Sequence, residues 1–411
     1  MPHTLVPAAW MTAHPTKRVM SVLQSRGAEA RFVGGCVRNT ILNRPIKDID
    51  IATTAMPEQV IELLIKNQIR AIPTGLEHGT ITAVVEQQPF EITTLRRDIQ
   101  TDGRHAVVKF TDNWQQDAER RDFTMNALFA DMQGTIYDYV DGYVDALTGN
   151  VRFIGDAETR IKEDALRILR FYRFFALYGV GKANESARTA CQKAAPALSS
   201  LARERVQQEI LSLFEANEPS DAIEIMRDDE ILIYCMPEAE DFDHLNNLLA
   251  IEALLAQHWP LFILPNAALR LSALLPKCPR KISTVAVRLK FSKSLHNRLL
   301  ALIDTTRSAP AQYGLEKCLY EIGSESTRDL LLLNWAKCGL PSNHEMLLST
   351  ATNWQKPTFP LTGQDVLDTG TPSGQMVGTI LKRIEDWWVQ EDFQPDRVKC
   401  LAKLHAIISH T

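Results

Sequence analysis

Strand-like sequence patterns are confined to the first 154 residues of this 411-residue chain. The stretches ARFVGG, DIDIAT and GTITAVVEQQPFEITTLR contain short apolar runs or polar–apolar alternation, which is typical of β-strands. After Gly155, amphipathic helical periods such as DALRILRFYRFFALYG continue to the end of the chain. A chain of this length forms several domains. We therefore predict an α+β protein, with a small head of mixed β-sheet and helices followed by a long all-helical region.

The composition predicts a soluble protein that does not enter a membrane. Apolar residues make up 45% of the chain and charged residues 23%, and no apolar run approaches the roughly 18 residues of a membrane helix. The net charge of −5 argues against a generally basic nucleic-acid binder, so any RNA contact would come from a local patch such as residues 160–205. On charge alone, residues 160–205 are better explained as solvated helix faces than as an RNA-binding patch. Seven cysteines without C-x-x-C spacing indicate reduced thiols in the cytoplasm.

The segment DIDIA places two carboxylates on one face of a predicted strand. Residues i and i+2 of a strand project to the same side, so Asp48 and Asp50 are neighbours while Ile49 and Ile51 face the core. Adjacent carboxylates repel each other unless a cation lies between them or one takes up a proton. Mg²⁺ prefers oxygen ligands and commonly takes one or two carboxylates plus phosphate oxygens. A lone D-x-D is more often a solvated edge or turn, so its surroundings decide its role.

Two nearby features favour a phosphate-binding site. Gly34 and Gly35 follow the apolar run RFV, and their backbone can approach a phosphate because glycine has no side chain. Arg38, one helical turn further on, can reach the same phosphate. Glu91, on the later strand PFEITTL, can join the two aspartates. The alternatives are a tight turn with close helix packing for the glycines and a solvent-facing side chain for Glu91.

Four motifs connect these residues to a known family. GGCVRN…KDIDIAT, RRDFTMNAL, YDYVDGYVDALTG and EDALRILRFYRFFA occur in this order along the chain. Together they resemble the class II tRNA nucleotidyltransferases, the CCA-adding enzymes, and their relatives the bacterial poly(A) polymerases. The resemblance implies template-free addition of C, C and A to the 3′ end of tRNA from CTP and ATP. It divides the chain into an N-terminal helical segment (1–28), a catalytic nucleotidyltransferase head (29–154), a helical neck (155–218) and a helical body and tail (219–411).

The resemblance also assigns residues of the head to the reaction. It implies Mg²⁺ bound by Asp48 and Asp50, with Glu91 as a third catalytic carboxylate. The head residues that it assigns to nucleotide contact are Gly35, Arg38 and Arg121. One position departs from the family's usual GGxVRD pattern, since Asn39 stands at the last position. Asn39 keeps a carbonyl acceptor but loses the charge, and we expect it to affect local orientation more than activity.

The stretch EDALRILRFYRFF contains four charged residues at intervals of three, and the resemblance assigns all of them to nucleotide binding: Asp164, Arg167, Arg170 and Arg173. Three residues turn a helix by about 300°, so Asp164 and Arg167 would be neighbours on one predicted helix while Arg173 points away. We predict that Asp164 and Arg167 read the base and that the later arginines serve phosphate or scaffold. A carboxylate accepts from the amine of cytosine or adenine, and a guanidinium donates to the adjacent ring nitrogen. The alternative is an ordinary i,i+3 salt bridge.

Residues 96–119 are polar with little periodicity, and we predict a mobile loop there. The resemblance gives this loop a role in switching from C to A addition. The expected partners are the acceptor end of tRNA and the substrates CTP and ATP, with no membrane and no obligate protein partner. The alternatives left open are a bacterial poly(A) polymerase, an enzyme that adds only part of CCA, and a non-catalytic RNA-binding relative.

Overall fold

The structure is a computed structural model that describes residues 3–102, 105–303, 310 and 314–409, with the backbone alone for 99–102 and 105–107. The chain forms two compact units, Met1–Pro237 and Glu238–Thr411. Within the described residues, strands occur only in the first unit, which confirms the predicted order of a mixed region followed by helices. The finer predicted borders at residues 28, 154 and 218 stay predictions.

A mixed β-sheet forms the centre of the first unit. The strands of this unit are β1 (Ala30–Val33), β2 (Asp50–Thr53), β3 (Arg70–Gly75), β4 (Thr80–Val85), β5 (Gln88–Thr94), β6 (Arg96–Asp102), β7 (His105–Phe110), β8 (Leu128–Ala130) and β9 (Ile136–Asp138). Seven of them form one sheet in the order β3-β4-β5-β2-β1-β8-β9. β2 and β5 are parallel, whereas the other neighbouring pairs of the sheet are antiparallel. The sheet is therefore mixed, as the sequence predicts.

Different helices cover the two faces of this sheet. The helices of this region are α1 (Ala9–Thr12), α2 (His14–Gln24), α3 (Gly35–Ile41), α4 (Pro57–Lys66), α5 (Trp114–Glu119) and α6 (Gly142–Thr148). Val33 and Ala52 pack with Trp114 of α5 on one face. Ile51 is buried on the opposite face, where α2 and α4 contact the sheet. Asp50 shares the face of Ala52, because the two residues are two positions apart on β2.

The prediction of a mobile loop over residues 96–119 is wrong. β6 and β7 pair as an antiparallel ribbon, and α5 follows them. Two contacts hold the base of the ribbon. The Arg96 backbone N–H donates to Asp117 Oδ1 at 3.2 Å, and Phe110 packs closely over Gly79. The tip at 103–104 lies outside the described residues. A ribbon that stands apart from the sheet does not need one apolar face, so its sequence lacks the alternation that predicts strands.

Helices continue from residue 157 to the end of the first unit. They are α7 (Ala157–Glu163), α8 (Leu166–Tyr178), α9 (Glu185–Ala194), α10 (Arg203–Phe214), α11 (Ser220–Asp228) and α12 (Leu232–Cys235). α8 lies at their centre and contacts α10 and α11 through buried residues such as Leu169, Phe171 and Tyr172. The Tyr172 hydroxyl donates to the buried Asp229 at 2.8 Å, which ties α8 to the end of α11.

The second unit is helical throughout its described residues. Its helices are α13 (Phe242–Ala256), α14 (Ala267–Leu274), α15 (Pro279–Arg288), α16 (Lys293–Leu302), α17 (Leu315–Cys338), α18 (His344–Asn353), α19 (Gly363–Leu367), α20 (Gln375–Gln390) and α21 (Arg397–Ile408). Its C-terminal core is built around the buried Trp388 of α20 with Cys400 and Leu404 of α21. None of the helices described in either unit is long and apolar enough to span a membrane.

The contact between Phe110 and Gly79 gives a test of how the ribbon is held. Gly79 has a φ of 73°, and a Cβ placed there would lie 2.5 Å from Phe110 Cε1. We expect Gly79→Ala to lower the free energy of unfolding by about 2–4 kcal/mol, through the positive φ and the steric overlap together. Gly27→Ala is the matched control, because its φ is 84° and no atom lies within 4 Å of an added Cβ.

The control substitution should therefore cost only about 1 kcal/mol. Urea unfolding of both variants measures the difference, and hydrogen exchange of residues 96–110 localises it to the ribbon. Equal losses in the two variants would show that Phe110 is not fixed over Gly79.

Candidate active site

The glycine pair lies between β1 and α3, with an arginine beside each glycine. Gly34 has a φ of 72°, and a Cβ there would lie 3.7 Å from Arg121 Nη1. At Gly35 a Cβ would lie 3.7 Å from Arg38 Nη2. The two glycines therefore leave the backbone open between two guanidinium groups, which is an arrangement suited to a phosphate.

Three acidic residues lie around the start of β2. Asp50, the first residue of β2, is the register partner of Glu91 on the parallel strand β5, so the predicted meeting of these two positions is confirmed. Asp48 precedes the strand and is exposed, whereas Ile49 and Ile51 are buried as predicted. Burial raises the pKa of Asp50 to about 6, and the negative charges of Glu91 and Asp48 also raise it, while Arg121 opposes them. Asp50 is therefore a largely desolvated carboxylate with two negative neighbours and one positive neighbour.

Arg121 is held in position by a buried carboxylate on α5. Asp117 Oδ2 accepts from Arg121 Nη2 at 2.8 Å and from Nε at 3.2 Å. Asp117 Oδ1 accepts from Arg120 Nε at 2.8 Å. Although burial acts against ionisation, the two arginines hold the pKa of Asp117 at about 2. Arg121 thus has a fixed counterion on one side and approaches the glycine turn and Asp50 on the other.

Arg38 is buried and is held by neutral groups. Its guanidinium donates to Asn126 Oδ1, to Asn39 Oδ1 and, at 2.7 Å, to the Tyr178 hydroxyl, and it lies 4.0 Å from the centroid of the Tyr178 ring. Asn39 Nδ2 in turn donates to the Pro45 carbonyl at 2.8 Å. Asn39 therefore orients Arg38 and anchors the segment that leads towards β2.

The predicted single helix through Asp164 and Arg167 is wrong. α7 ends at Glu163, Asp164 has extended backbone angles, and α8 begins at Leu166. Asp164 Oδ1 accepts from the Leu166 backbone N–H at 3.1 Å, a turn contact made one residue before Ala165, the N-cap of α8. Both of its oxygens also accept from the guanidinium of Arg205 on α10, at 3.3 and 2.6 Å. The two residues predicted to read the base are therefore not joined by an i,i+3 salt bridge.

The three arginines of α8 all bond to other groups of the first unit. Arg167 donates to Glu163 Oε2 at 2.6 Å and to the Arg120 carbonyl at 3.3 Å. Arg170 pairs with the partly buried Asp122 at 2.5 Å, and Arg173 pairs with the buried Glu209 at 2.6 Å. These contacts support the scaffold alternative for Arg170 and Arg173 in the structure without nucleotide.

Comparisons with known proteins identify the family. Residues 30–152 match the family model described as "Poly A polymerase head domain", and residues 184–243 match "Probable RNA and SrmB- binding site of polymerase A". The chain is 32% identical to the "CCA tRNA nucleotidyltransferase 1, mitochondrial" of Danio rerio over 93% of this chain and 88% of the relative. The chain belongs to the CCA tRNA nucleotidyltransferase family.

Further relatives of the nucleotidyltransferase span its whole length. It is 30% identical to the "CCA-adding enzyme" of Enterococcus faecalis over 94% of this chain and 93% of the relative. Its structure superposes on the "Bacillus stearothermophilus CCA-adding enzyme in complex with CTP" with a TM-score of 0.78 and 27% identity, over 97% of this chain and 99% of the other. The predicted resemblance is therefore confirmed for both units.

The acidic cluster of this nucleotidyltransferase fits a divalent metal ion, on which enzymes of the family depend. Asp48, Asp50 and Glu91 supply only oxygen donors, and the pKa of Asp50 is raised first by burial and then by the negative charges of Glu91 and Asp48, which a bound cation would offset. Among the residues that the structure describes, no three acidic, histidine or cysteine side chains already form a metal-binding group. A magnesium site does not require three such protein ligands, because phosphate oxygens and water complete the coordination of the ion.

Sequence reasoning missed four residues that hold the nucleotidyltransferase site together: Asp117, Asp122, Arg205 and Glu209. Two of these carboxylates fall on apolar helix faces. Asp117 shares a face with Trp114 and Ala118, and Glu209 shares one with Val206 and Ile210. A charged residue on a buried face signals a buried partner. Asp122 and Arg205 have no comparable signal, because their partners Arg170 and Asp164 are distant in sequence.

The crowding around Asp50 predicts an unusual dependence of stability on pH. The folded protein holds a proton on Asp50 up to about pH 6, whereas the unfolded chain releases it near pH 4. The favourable contribution of Asp50 is therefore present at low pH and is lost as the pH rises through 6. We expect Asp50→Asn to stabilise the metal-free protein by about 1–3 kcal/mol at pH 8 and by almost nothing at pH 4.

Thermal unfolding in the presence of a chelator measures this effect. Asp48→Asn is the matched control, since Asp48 is exposed and the loss of its charge should change stability far less. A stabilisation by Asp50→Asn that is equal at both pH values, or absent at pH 8, would contradict the crowding of charge.

Proposed function

We propose that this nucleotidyltransferase adds C, C and A to the 3′ end of tRNA, using CTP and ATP, releasing pyrophosphate and needing no nucleic-acid template. The observation that carries the proposal is the placement of Asp50 opposite Glu91, beside a glycine turn flanked by Arg38 and Arg121. This arrangement offers acidic oxygens for a metal and guanidinium groups for a triphosphate within one edge of the sheet. The full-length similarity to CCA-adding enzymes, one of them solved with CTP, supports the choice of substrates.

We assign the metal to Asp48 and Asp50, with Glu91 as a third carboxylate, and propose that it is Mg²⁺. When bound, Mg²⁺ supplies activation of the attacking 3′ oxygen and neutralisation of charge on the α-phosphate. The protein's own part is to hold the carboxylates on a rigid edge, because Ile51 pairs with Ile92 and both are buried. Gly35 leaves room for the triphosphate, and the guanidinium groups of Arg38 and Arg121 attract it.

Selection of the base falls to Asp164 and Arg167. Cytosine and adenine both present an amine beside an unprotonated ring nitrogen, which suits a carboxylate acceptor and a guanidinium donor. Asp164 Oδ1 already accepts from Arg205 and from the Leu166 N–H, whereas Oδ2 accepts from Arg205 alone among the contacts described and has a second lone pair for the amine. Guanine or uracil would place a carbonyl against Asp164 and an N–H against Arg167, and we expect each mismatched contact to cost about 1–3 kcal/mol. Arg170 and Arg173 contribute by holding α8 against Asp122 and Glu209.

The partner in this proposal is the acceptor end of tRNA, held by helical surfaces through shape and phosphate contacts. The paired strands β6 and β7 take the proposed role in switching from C to A addition. The cytoplasm remains the proposed location, supported by seven cysteines among which the described structure forms no disulfide. The relatives from zebrafish and human are named as mitochondrial.

Extension of tRNA tests the reaction. The protein is incubated with Mg²⁺, a tRNA that ends at the discriminator base, and one labelled nucleoside triphosphate at a time or in sequence. We expect two C followed by one A. A long ladder of A would identify a poly(A) polymerase, A added only to tRNA ending in CC would identify a partial enzyme, and no extension would identify an RNA-binding relative.

Removal of one metal-binding carboxylate should abolish this extension. We expect Asp48→Ala to reduce transfer by at least a thousandfold while tRNA affinity and the unfolding midpoint stay close to those of the unchanged protein. Glu58→Ala, at an exposed position on α4, is the control and should retain activity. Unfolding of Asp48→Ala would instead show that the carboxylate is structural.

Loss of the base-reading carboxylate should loosen nucleotide choice more than it slows chemistry. We expect Asp164→Ala to raise incorporation of UTP or GTP relative to CTP by roughly 10- to 100-fold. Arg205→Gln should act in the same direction with a smaller effect, because Asp164 loses its bidentate partner. Arg203→Ala, on the same helix but bonded to the Ser199 carbonyl, is the control. Unchanged discrimination in Asp164→Ala would remove this residue from base reading.

A further inference from the structure

Arg38 is a buried cation whose direct partners carry no charge. Its side chain is only 6% exposed, and its N–H groups donate to the amide oxygens of Asn39 and Asn126 and to the Tyr178 hydroxyl. The rings of Tyr178 and Phe174 lie beside it, at 4.0 and 5.3 Å. Within the part of the chain that the structure describes, no carboxylate forms an ion pair with this guanidinium.

The nearest acid is already engaged elsewhere. Asp122 lies behind Asn126, whose Nδ2 donates to Asp122 Oδ1 at 3.0 Å. Its second oxygen accepts from Arg170 Nε at 2.7 Å. The amide of Asn126 therefore separates Arg38 from a carboxylate that another arginine neutralises. Desolvation accordingly lowers the pKa of Arg38 from its ordinary value.

Arg121, on the other side of the glycine pair, is different. Two of its nitrogens donate to the buried carboxylate of Asp117, so its charge is compensated within the protein. Arg38 Nη2 lies just as close to the turn, 3.7 Å from the position that a Cβ of Gly35 would occupy. A buried charge without a counterion is unfavourable, and an anion arriving at the turn relieves it. Of the two arginines, Arg38 is the one that gains a counterion from a bound phosphate.

Asn39 determines this difference. Its Oδ1 accepts from both Nε and Nη2 of Arg38, at 3.2 and 2.9 Å, which is the position where a carboxylate would form a bidentate ion pair. Its Nδ2 donates to the Pro45 carbonyl at 2.8 Å, which holds the amide in this orientation. The amide thus fixes the guanidinium without neutralising it.

We propose that Asn39 keeps the charge of Arg38 available to the phosphates of the incoming nucleoside triphosphate and thereby raises the affinity for CTP and ATP alike. The inference rests on the proposed function only for the identity of the nucleotide. Asn39 acts through Arg38, so it is a positioning residue. The effect falls on binding and not on the chemical step, because the reacting atoms are held by the acidic cluster.

Equilibrium binding of CTP and of ATP to the full-length protein without tRNA tests the inference. Asn39→Asp keeps the size and the acceptor but adds a carboxylate against Arg38. We expect it to weaken both nucleotides by about tenfold, to raise KM for both to a similar extent and to change kcat less than threefold. Asn43→Asp is the matched control, since it adds the same charge at an exposed position of the same segment, and it should leave affinity unchanged.

A second variant separates charge from structure. Asn39→Ala removes the same hydrogen bonds to Arg38 and Pro45 without adding charge. We expect it to lower the unfolding midpoint but to weaken nucleotide binding less than Asn39→Asp does, by about threefold. Equal weakening in both variants would overturn the inference, because Asn39 would then act only as a structural support. Unchanged affinity in Asn39→Asp, or a loss confined to one nucleotide, would overturn it too.

These outcomes are independent of the tRNA reaction. A protein that adds CCA to tRNA but binds CTP equally well with Asp at position 39 would refute the inference alone. A protein that binds CTP but extends no tRNA would refute the proposed function, and the binding comparison would still decide the role of Asn39.

Discussion

The parallel pairing of β2 with β5 is the constraint on which the rest of the site depends. It places Asp50 opposite Glu91, and the next register pair, Ile51 with Ile92, is buried in the core. A slip of one residue would turn the isoleucine to solvent and the carboxylate into the core, so burial of apolar side chains determines where the acids stand. Hydrophobic packing thus keeps these carboxylates close together although they repel each other. A bound cation would relieve this repulsion.

Buried ion pairs then set the positions of the basic groups. Asp122 pairs with Arg170 and places α8 beside the head, while Asp117 holds Arg121 at the glycine turn. Breaking such a pair leaves a buried charge without a partner, so each arginine has one strongly preferred position. Arg38 is the exception, because its partners are neutral and its charge stays uncompensated. The site therefore combines arginines that are fully paired with one whose charge is left for a ligand.

The sequence predicted the architecture and the acidic cluster but not the contacts that organise them. Asp50 and Glu91 were predictable because strand alternation and turn residues are local signals. The ribbon formed by β6 and β7 was not predictable, because a two-stranded ribbon separate from the main sheet does not need the apolar face that produces this alternation. The break before Leu166 was also missed, since EDALRILRFYRFF has continuous helical periodicity and only the extended backbone of Asp164 shows that α7 and α8 are separate. The pairing of Asp164 with Arg205 joins the link between α7 and α8 to α10 and leaves no trace in either local pattern.

The sequence by itself determined the order of a mixed head and a helical remainder, the family, and which side chains could serve metal, phosphate and base. Those properties depend on residue type and short-range spacing, which the chain carries regardless of how it folds. Only the tertiary structure decided which charges are neutralised within the protein. Asp117 compensates Arg121, whereas Asn39 leaves Arg38 uncompensated, because compensation depends on distances of about 3 Å between residues whose neighbourhood is created by packing.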